Sequence, residues 1–179
     1  MAITIPGIHS NTPLDPSFDA DMRNLHVIYY YHAFEADGVT PTKWKYDLWF
    51  YSHNRVVYEI HDGPMKGRKN FQTCTYQCIR PGELWQVNWL EETGTVVSAV
   101  VDLKNRRIST MMGFSKGHWE HAAEAHGDKR NPVDMARMCG LADIGNQRDR
   151  LIFCAYGDIG ESFRGKGDLE EIDPEAPTW

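Results

Sequence analysis

The feature that most constrains this sequence is a succession of short runs rich in β-branched and aromatic residues. These runs read HVIYYY, KWKYDLWFY, RVVYEIH, NFQTCTYQCI, LWQVNWL, TVVSAVVDL, RRISTMMGF and RLIFCAY. Turn segments such as SHN, DGP, RPGE and EETG separate most of them, so neighbouring runs are expected to pair as antiparallel strands. Eight such strands can close into a barrel that has room for a small ligand. We therefore predict an all-β protein that forms a single antiparallel β-barrel.

Helical signals occur only near the end of this pattern, in GHWEHAAEAH and NPVDMARMCGLA, and they predict one or two short helices before the last strand. The chain has 179 residues, of which 41% are hydrophobic, and this is enough for one packed core. We expect one domain over residues 1–179. Residues 1–23 contain three prolines and no periodicity, so they predict an extended arm on a neighbouring surface or a mobile one, and residues 165–179 predict a similar tail.

Charge and hydropathy exclude several classes of partner. The net charge is −6 and the sequence has no cluster of lysine and arginine, which argues against nucleic acid. No apolar run reaches the ~20 residues of a membrane span, and the first residues lack the order of a signal peptide. We expect a cytoplasmic protein that binds neither nucleic acid nor membrane.

The segment WQVNWLEETGTVV places an acid where a strand should present an apolar residue. Trp85, Val87, Trp89 and Glu91 alternate and should share one face of the strand. A buried carboxyl group is costly unless it is paired or functional. Glu91 is therefore the first candidate for a catalytic residue.

Other polar and aromatic residues fall on the strands that would surround it. Tyr29 and Tyr31 should project side by side from HVIYYY, and Arg68 stands where a strand begins. Trp44 and Tyr46 share a face of the next strand. Each of these residues also has a plain structural interpretation, as a core or rim tyrosine, a solvated turn arginine or an aromatic lining.

The histidines of HWEHAAEAH suggest a metal site at first sight. His118 and His121 share a helix face, but His126 points away, and the spacing matches no zinc-binding helix signature. We expect a solvated polar helix face and no metal.

Several of these segments, in this order, resemble those of the phenolic acid decarboxylases, and the similarity covers about residues 25–121. The matching segments are HVIYYY, WKYDLWF, YEIHDGPMKGR, VNWLEETGT and, less closely, GFSKGHWEH. Glu92 stands where that family usually has proline, and Val96 where it often has aspartate. The resemblance implies a lipocalin-like barrel that is cofactor-free, forms a homodimer and converts 4-hydroxycinnamic acids to 4-vinylphenols.

The resemblance also implies roles for individual residues. It makes four residues catalytic or substrate-orienting, namely Tyr29, Tyr31, Arg68 and Glu91. It places nine others along the substrate pocket, namely Trp44, Tyr46, Met65, Trp89, Thr93, Thr95, Val97, Met112 and Phe114.

The reaction needs an electron sink, because direct loss of CO2 would leave a carbanion on a vinyl carbon. A para-hydroxyl group provides the sink if the alkene is protonated to a quinone methide. Glu91, kept neutral by the apolar side chains of Trp89 and Val97, would deliver that proton or else remove the phenolic one. Tyr29 and Tyr31 would hold the phenolate or the carboxylate, and Arg68 would neutralise the nearer anion.

The sequence leaves both orientations of the substrate open. It also leaves open a barrel that carries a small aromatic ligand without catalysis, because this fold class serves both purposes. We predict a lyase that decarboxylates p-coumaric, ferulic and caffeic acids.

Overall fold

The computed structural model describes residues 8–10 and 12–179. Its strands are β1 (Leu25–Phe34), β2 (Pro41–Ser52), β3 (Arg55–Ile60), β4 (Arg68–Arg80), β5 (Leu84–Leu90), β6 (Val96–Asp102), β7 (Arg107–Ser115), β8 (Gly127–Asp128) and β9 (Arg150–Arg164). Its helices are α1 (Phe18–Asp21), α2 (Lys116–Glu120) and α3 (Pro132–Leu141), with a short 3-10 helix at Ala122–Ala125 between α2 and α3.

Eight of the strands form a closed antiparallel barrel, which confirms the all-β prediction. Each strand from β1 to β7 pairs with the next one in sequence. Strand β9 pairs with both β7 and β1 and so closes the ring. The two-residue strand β8 pairs in parallel with the start of β4, opposite Arg68 and Lys69. The predicted pair of helices lies between β7 and β9, as the sequence pattern indicated.

One end of the barrel is packed solid and closed by α1. The ring of Phe18 lies 4.8 Å from that of Tyr76 and 6.1 Å from that of Trp85, in edge-on arrangements. Asp21 accepts a hydrogen bond from the indole nitrogen of Trp85 at 2.9 Å, so the buried N–H is satisfied. Phe18 and Met22 are fully buried here, so this part of the predicted arm belongs to the hydrophobic core.

The tail after β9 covers part of the outer surface of the barrel. Leu169 and Ile172 are buried against Trp49, Val57 and Phe71, whose side chains face outward from β2, β3 and β4. The buried residues of the tail thus lie on the outside of the barrel. Residues 1–7 and 11 of the predicted arm lie outside the described residues.

Helix α2 begins directly at the end of β7. Ser115 caps it, since its hydroxyl accepts a hydrogen bond from the backbone N–H of His118 at 3.2 Å. Gly117 permits close contact with α3, because a Cβ atom there would lie 2.1 Å from the carbonyl oxygen of Leu141. Helix α2 therefore packs closely against α3, and its residue His118 faces the interior of the barrel. Among the described helices, none is long and apolar enough to cross a membrane.

Candidate active site

The interior of the barrel contains a cavity. The lining is mainly aromatic and aliphatic, with a few polar groups: Tyr29, Tyr31, Tyr46, Leu48, Tyr58, Ile60, Met65, Arg68, Trp89, Glu91, Thr95, Val97, Thr110, Met112, Phe114 and His118. The barrel therefore holds a site that suits a small aromatic ligand.

All four residues predicted to be catalytic line this cavity. Tyr29 and Tyr31 project inward from β1, Arg68 is the first residue of β4, and Glu91 follows the last residue of β5. Each of them is at most 7% exposed. Three separate parts of the chain thus bring two phenols, a guanidinium and a carboxyl group to one space.

The two tyrosines form a short chain of hydroxyl groups. Tyr29 donates to the hydroxyl oxygen of Tyr31 at 3.4 Å, and Tyr31 donates to Oγ1 of Thr110 at 2.6 Å. Burial raises the pKa of Tyr29 well above its usual value, and it raises the pKa of Tyr31 as well. Both phenols therefore remain protonated at neutral pH, and a ligand would receive their hydrogen bonds only if the hydroxyl hydrogens turned from their present acceptors.

Glu91 lies in a more polar environment than its sequence neighbours indicated. Its Oε1 accepts hydrogen bonds from the hydroxyl of Tyr58 and, at 3.4 Å, from the indole nitrogen of Trp89. Its Oε2 lies 3.2 Å from a terminal nitrogen of Arg68. The expectation that apolar side chains surround this carboxyl group is therefore wrong, and its contacts are those of a hydrogen-bond acceptor.

Arg68 is held by protein acceptors on both terminal nitrogens. One nitrogen donates to the carbonyl oxygen of Ala125 and lies 3.4 Å from Sδ of Met138. The other donates to Glu91 and Glu92. Burial alone would lower the pKa of Arg68, but Glu92 and Glu91 outweigh it and raise that pKa. Arg68 thus positions Glu91 and supplies a fixed positive charge to the wall of the cavity.

A second buried ion pair lies behind Arg68. Oε2 of Glu92 accepts hydrogen bonds from Lys129 at 2.8 Å and from Gln72 at 2.9 Å, and Oε1 accepts from Asn70 at 3.2 Å. Burial would raise the pKa of Glu92, but Arg68 and Lys129 lower it strongly. Glu92 is therefore a buried carboxylate that binds the same terminal nitrogen of Arg68 as Glu91 does.

A second space adjoins the first. It shares Tyr31, Tyr46, Met65, Met112 and Phe114 with the inner cavity and adds Trp44, Pro64, Trp119 and Phe153. Gly63 lies against the indole of Trp44, where a Cβ atom would come within 2.6 Å of the ring. Trp44 and Tyr46 therefore both line this second space.

Eight of the nine predicted pocket residues line one of these two spaces, and Thr93 does not. Its hydroxyl lies 2.9 Å from Nδ1 of His118, which does line the cavity. Thr93 therefore acts on the pocket through His118. Thr93 lies in the turn after β5, where the chain reverses at Gly94 with a positive φ of 79°. The predicted position of Thr93 on the pocket wall is therefore corrected.

Sequence reasoning missed three polar residues of the cavity, namely Tyr58, Thr110 and His118. Tyr58 could have been found from the alternation of Val56, Tyr58 and Ile60, which places it on the inner face of β3. His118 could not, because its helix position alone suggests solvent exposure. It is in fact 2% exposed.

The histidine-rich segment does not form the solvated polar helix face that the sequence predicted. His118 is buried, whereas His121 is exposed and lies 3.0 Å from Glu124 on the surface. Within residues 8–10 and 12–179, no group of three or more potential metal-binding side chains comes together.

Comparison with known families gives a match over the segment that builds this site. A family model described as MoaF-like matches residues 31–125, which is just over half of the chain. The chain belongs to the MoaF-like family. The MoaF-like segment runs from Tyr31 through the 3-10 helix, so it contains Arg68, Glu91, Glu92 and His118.

Other comparisons add little to the MoaF-like assignment. One solved structure that matches is described as a candidate beta-lactamase from Burkholderia vietnamiensis. It is 14% identical with a TM-score of 0.46, and the match covers 86% of this chain and 99% of that one. No curated protein matches the chain.

Proposed function

We propose that this protein decarboxylates 4-hydroxycinnamic acids, such as p-coumaric, ferulic and caffeic acid, to 4-vinylphenols without a cofactor. The observation that carries the proposal is the position of Glu91, buried in an aromatic cavity beside Arg68 and within the same space as Tyr29 and Tyr31. The resemblance of VNWLEETGT and its neighbours to the phenolic acid decarboxylases supports the same activity. The MoaF-like fold supplies the barrel and leaves the chemistry to these side chains.

The tyrosine end of the cavity suits the phenol of the substrate. Tyr29 and Tyr31 are neutral donors whose raised pKa values keep them protonated. Two such hydroxyl groups stabilise a phenolate by hydrogen bonds and do not need to transfer a proton. The substrate would then lie with its ring among the aromatic side chains and its carboxylate toward Glu91.

Glu91 is the proton-transfer group in this arrangement. A substrate carboxylate that approaches the carboxyl group of Glu91 creates two acids in one desolvated site, and such a pair retains one proton. Glu91 delivers that proton to the alkene carbon that bears the substrate carboxylate, which gives the quinone methide. The bond to the carboxyl carbon then breaks, CO2 leaves, and its electron pair returns to the ring to give a 4-vinylphenolate. The phenol releases its proton to solvent when the substrate binds as the phenolate, and the product takes a proton back from solvent on release.

The alternative is a carrier for small aromatic ligands. Such a protein needs a lipophilic cavity, which is present here, but it has no use for a buried carboxylate pair at the end of it. Keeping Glu91 and Glu92 buried requires Arg68 and Lys129 as partners. Charged groups kept at this cost are typical of sites that perform acid–base chemistry.

The experiment that tests the proposal is incubation of the purified protein with p-coumaric acid and no additive. We expect the ultraviolet band of the substrate to disappear while CO2 is released. Cinnamic acid, which lacks the para-hydroxyl group, is the matched control and should persist. Tight binding of p-coumaric acid without turnover would favour the carrier, and turnover of cinnamic acid would contradict the quinone methide route.

A further inference from the structure

His118 has an unused hydrogen-bonding atom at the cavity. The ring lines the inner cavity and packs edge-on against Phe114, with the ring centroids 5.0 Å apart. Its Nδ1 is engaged by the hydroxyl groups of Thr93 and Thr95, at 2.9 Å and 2.7 Å, and lies 3.6 Å from Oε2 of Glu91. Its Nε2 is buried and has no partner among the described residues. A buried polar atom without a partner destabilises the fold, unless a ligand supplies the missing contact.

The hydroxyl groups around Nδ1 indicate which tautomer the ring adopts. The oxygen of Thr95 already accepts the backbone N–H of Ser115 at 3.3 Å, so its hydroxyl hydrogen is free to donate to Nδ1. The hydroxyl of Thr93 reaches the same atom. A neutral imidazole that accepts at Nδ1 carries its proton on Nε2. If the two hydroxyl groups donate to Nδ1, the unused atom is an N–H donor.

Most other donors at this end of the cavity are engaged by the protein, and the exception among the described residues is Nε of Arg68, which is buried without a partner. Tyr58 and the indole of Trp89 donate to Oε1 of Glu91. The terminal nitrogens of Arg68 donate to Ala125, Glu91 and Glu92. An anionic group that enters the cavity would meet two buried nitrogens that have no partner among the described residues, Nε2 of His118 and Nε of Arg68.

We propose that His118 recognises the carboxylate of the substrate through a hydrogen bond from its Nε2–H. This inference rests on the proposed function, since it takes the ligand to be a phenolic acid with its carboxylate toward Glu91. His118 would then be a substrate-binding residue, while Thr93 and Thr95 are positioning residues that hold its tautomer.

The charge state of the ring agrees with this role. Burial, with the charge of Arg68 as a second cause, lowers the pKa of His118 to about 3. The ring is therefore neutral at the pH at which a phenolic acid is ionised. A neutral donor holds the carboxylate without forming an ion pair, so less stabilisation is lost when the carboxylate becomes neutral CO2.

The test compares two ligands that differ only in the carboxylate side chain. 3-(4-Hydroxyphenyl)propionic acid cannot form the quinone methide, and 4-ethylphenol lacks the acid. In titrations followed by tryptophan fluorescence, His118→Leu should weaken binding of the acid at least ~10-fold, the contribution expected of a hydrogen bond to a charged group. Binding of 4-ethylphenol should change less than ~3-fold. His118→Gln, whose amide can reach the position of Nε2, should recover most of the loss.

Two results would overturn the proposal, namely equal weakening of both ligands or unchanged binding of the acid. Nitrogen NMR of the wild-type protein is a second measurement that does not depend on the variants folding. It should show the proton of His118 on Nε2 when the acid is bound, and a proton on Nδ1 alone would also contradict the proposal.

Turnover separates this inference from the proposed function. Suppose that His118→Leu selectively loses binding of the acid, while the wild-type protein releases no CO2 from p-coumaric acid. That pair of results would uphold the inference about His118 and reject the decarboxylase. Turnover without selective loss would do the reverse. In an active enzyme, His118→Leu should raise KM far more than it lowers kcat, since the contact is made in the bound substrate.

Discussion

Nζ of Lys129 lies 2.8 Å from Oε2 of Glu92, and neither side chain is exposed to solvent. The same ammonium group also donates to the carbonyl oxygens of Phe71 and Thr178, each at 2.8 Å. Glu92 in turn contacts Arg68, which contacts Glu91. A chain of alternating charges therefore connects the tail of the protein to the candidate catalytic carboxyl group.

Removing one charge from this chain should destabilise the protein strongly. Lys129→Met leaves Glu92 with one cationic partner in a dry interior, and we expect a loss of about 3–5 kcal/mol in the free energy of unfolding. Urea denaturation would measure it. Lys104→Met is the matched control, because Lys104 forms an exposed ion pair with Glu83 and should cost less than about 1 kcal/mol. Equal losses for the two variants would contradict the proposed importance of the buried chain.

Replacement of Glu91 tests proton transfer directly. Glu91→Gln keeps the size of the side chain but cannot deliver a proton, so kcat for p-coumaric acid should fall at least ~10²-fold. Steady-state release of CO2 measures the change. Glu83→Gln, a surface substitution, should leave the rate unaltered. A Glu91→Gln enzyme with the wild-type rate would remove this residue from the mechanism.

Loss of one phenolic hydroxyl group should slow the reaction, because both tyrosines stabilise the phenolate. We expect Tyr31→Phe to lower kcat by about 10²-fold or more, as for other oxyanion-stabilising donors. Tyr30→Phe is the matched control, since Tyr30 lies between Tyr29 and Tyr31 on β1 and faces away from the cavity. Equal rates for the two variants, measured by loss of the substrate band, would argue against the proposed orientation of the ligand.

Acid should destabilise the protein partly through His118. Burial lowers the pKa of this residue from 6.5 to about 3, so the unfolded chain binds the proton more readily than the folded one between those values. Its contribution to stability is complete above pH ~6.5 and is lost as the pH falls toward 3, by up to about 1.4 kcal/mol per unit.

His118→Gln should therefore flatten the decline in unfolding free energy between pH 6.5 and pH 4, measured by urea denaturation at several pH values. His121→Gln serves as the control because His121 is exposed on the surface. The same slope in wild type and His118→Gln would show that His118 does not titrate in this way.

Gly63 should control the position of Trp44 at the entrance. Gly63→Ala meets both a positive φ of 79° and a Cβ position 2.6 Å from the indole, so the ring must move. Gly82→Ala is the control, since Gly82 has a φ of 72° but nothing within 4 Å of the added Cβ. Both should lose about 1–2 kcal/mol from the backbone conformation, and Gly63→Ala alone should also change KM and tryptophan fluorescence. Identical KM values in the two variants would exclude a role for Trp44 in substrate entry.

Much of the barrel could be predicted from the chain itself. Alternation along each strand assigned the inward faces, and this was sufficient to place Tyr29, Tyr31 and Glu91 in the interior. The alternation is local physics, because successive side chains of a strand point to opposite sides and only one side is dry. The short turns between strands likewise determined the antiparallel order.

The environment of Glu91 could not be predicted in the same way. Tyr58 and Arg68 reach it only because β3 and β4 pair in a particular register and because the ring closes through β9. His118 reaches the cavity because α2 is pressed inward by α3, a contact between segments separated in sequence. Lys129 meets Glu92 through β8, which pairs with β4 for only two residues.

The sequence by itself determined the strands, their inner faces and the presence of an acid among aromatic side chains. The tertiary structure decided which groups that acid meets, and it replaced an expected apolar environment with a guanidinium, a phenol and an indole. The physical reason is that strand alternation depends on neighbours one or two residues away. Partners of a buried charge depend on how distant segments pack, and a one-dimensional pattern does not contain that information.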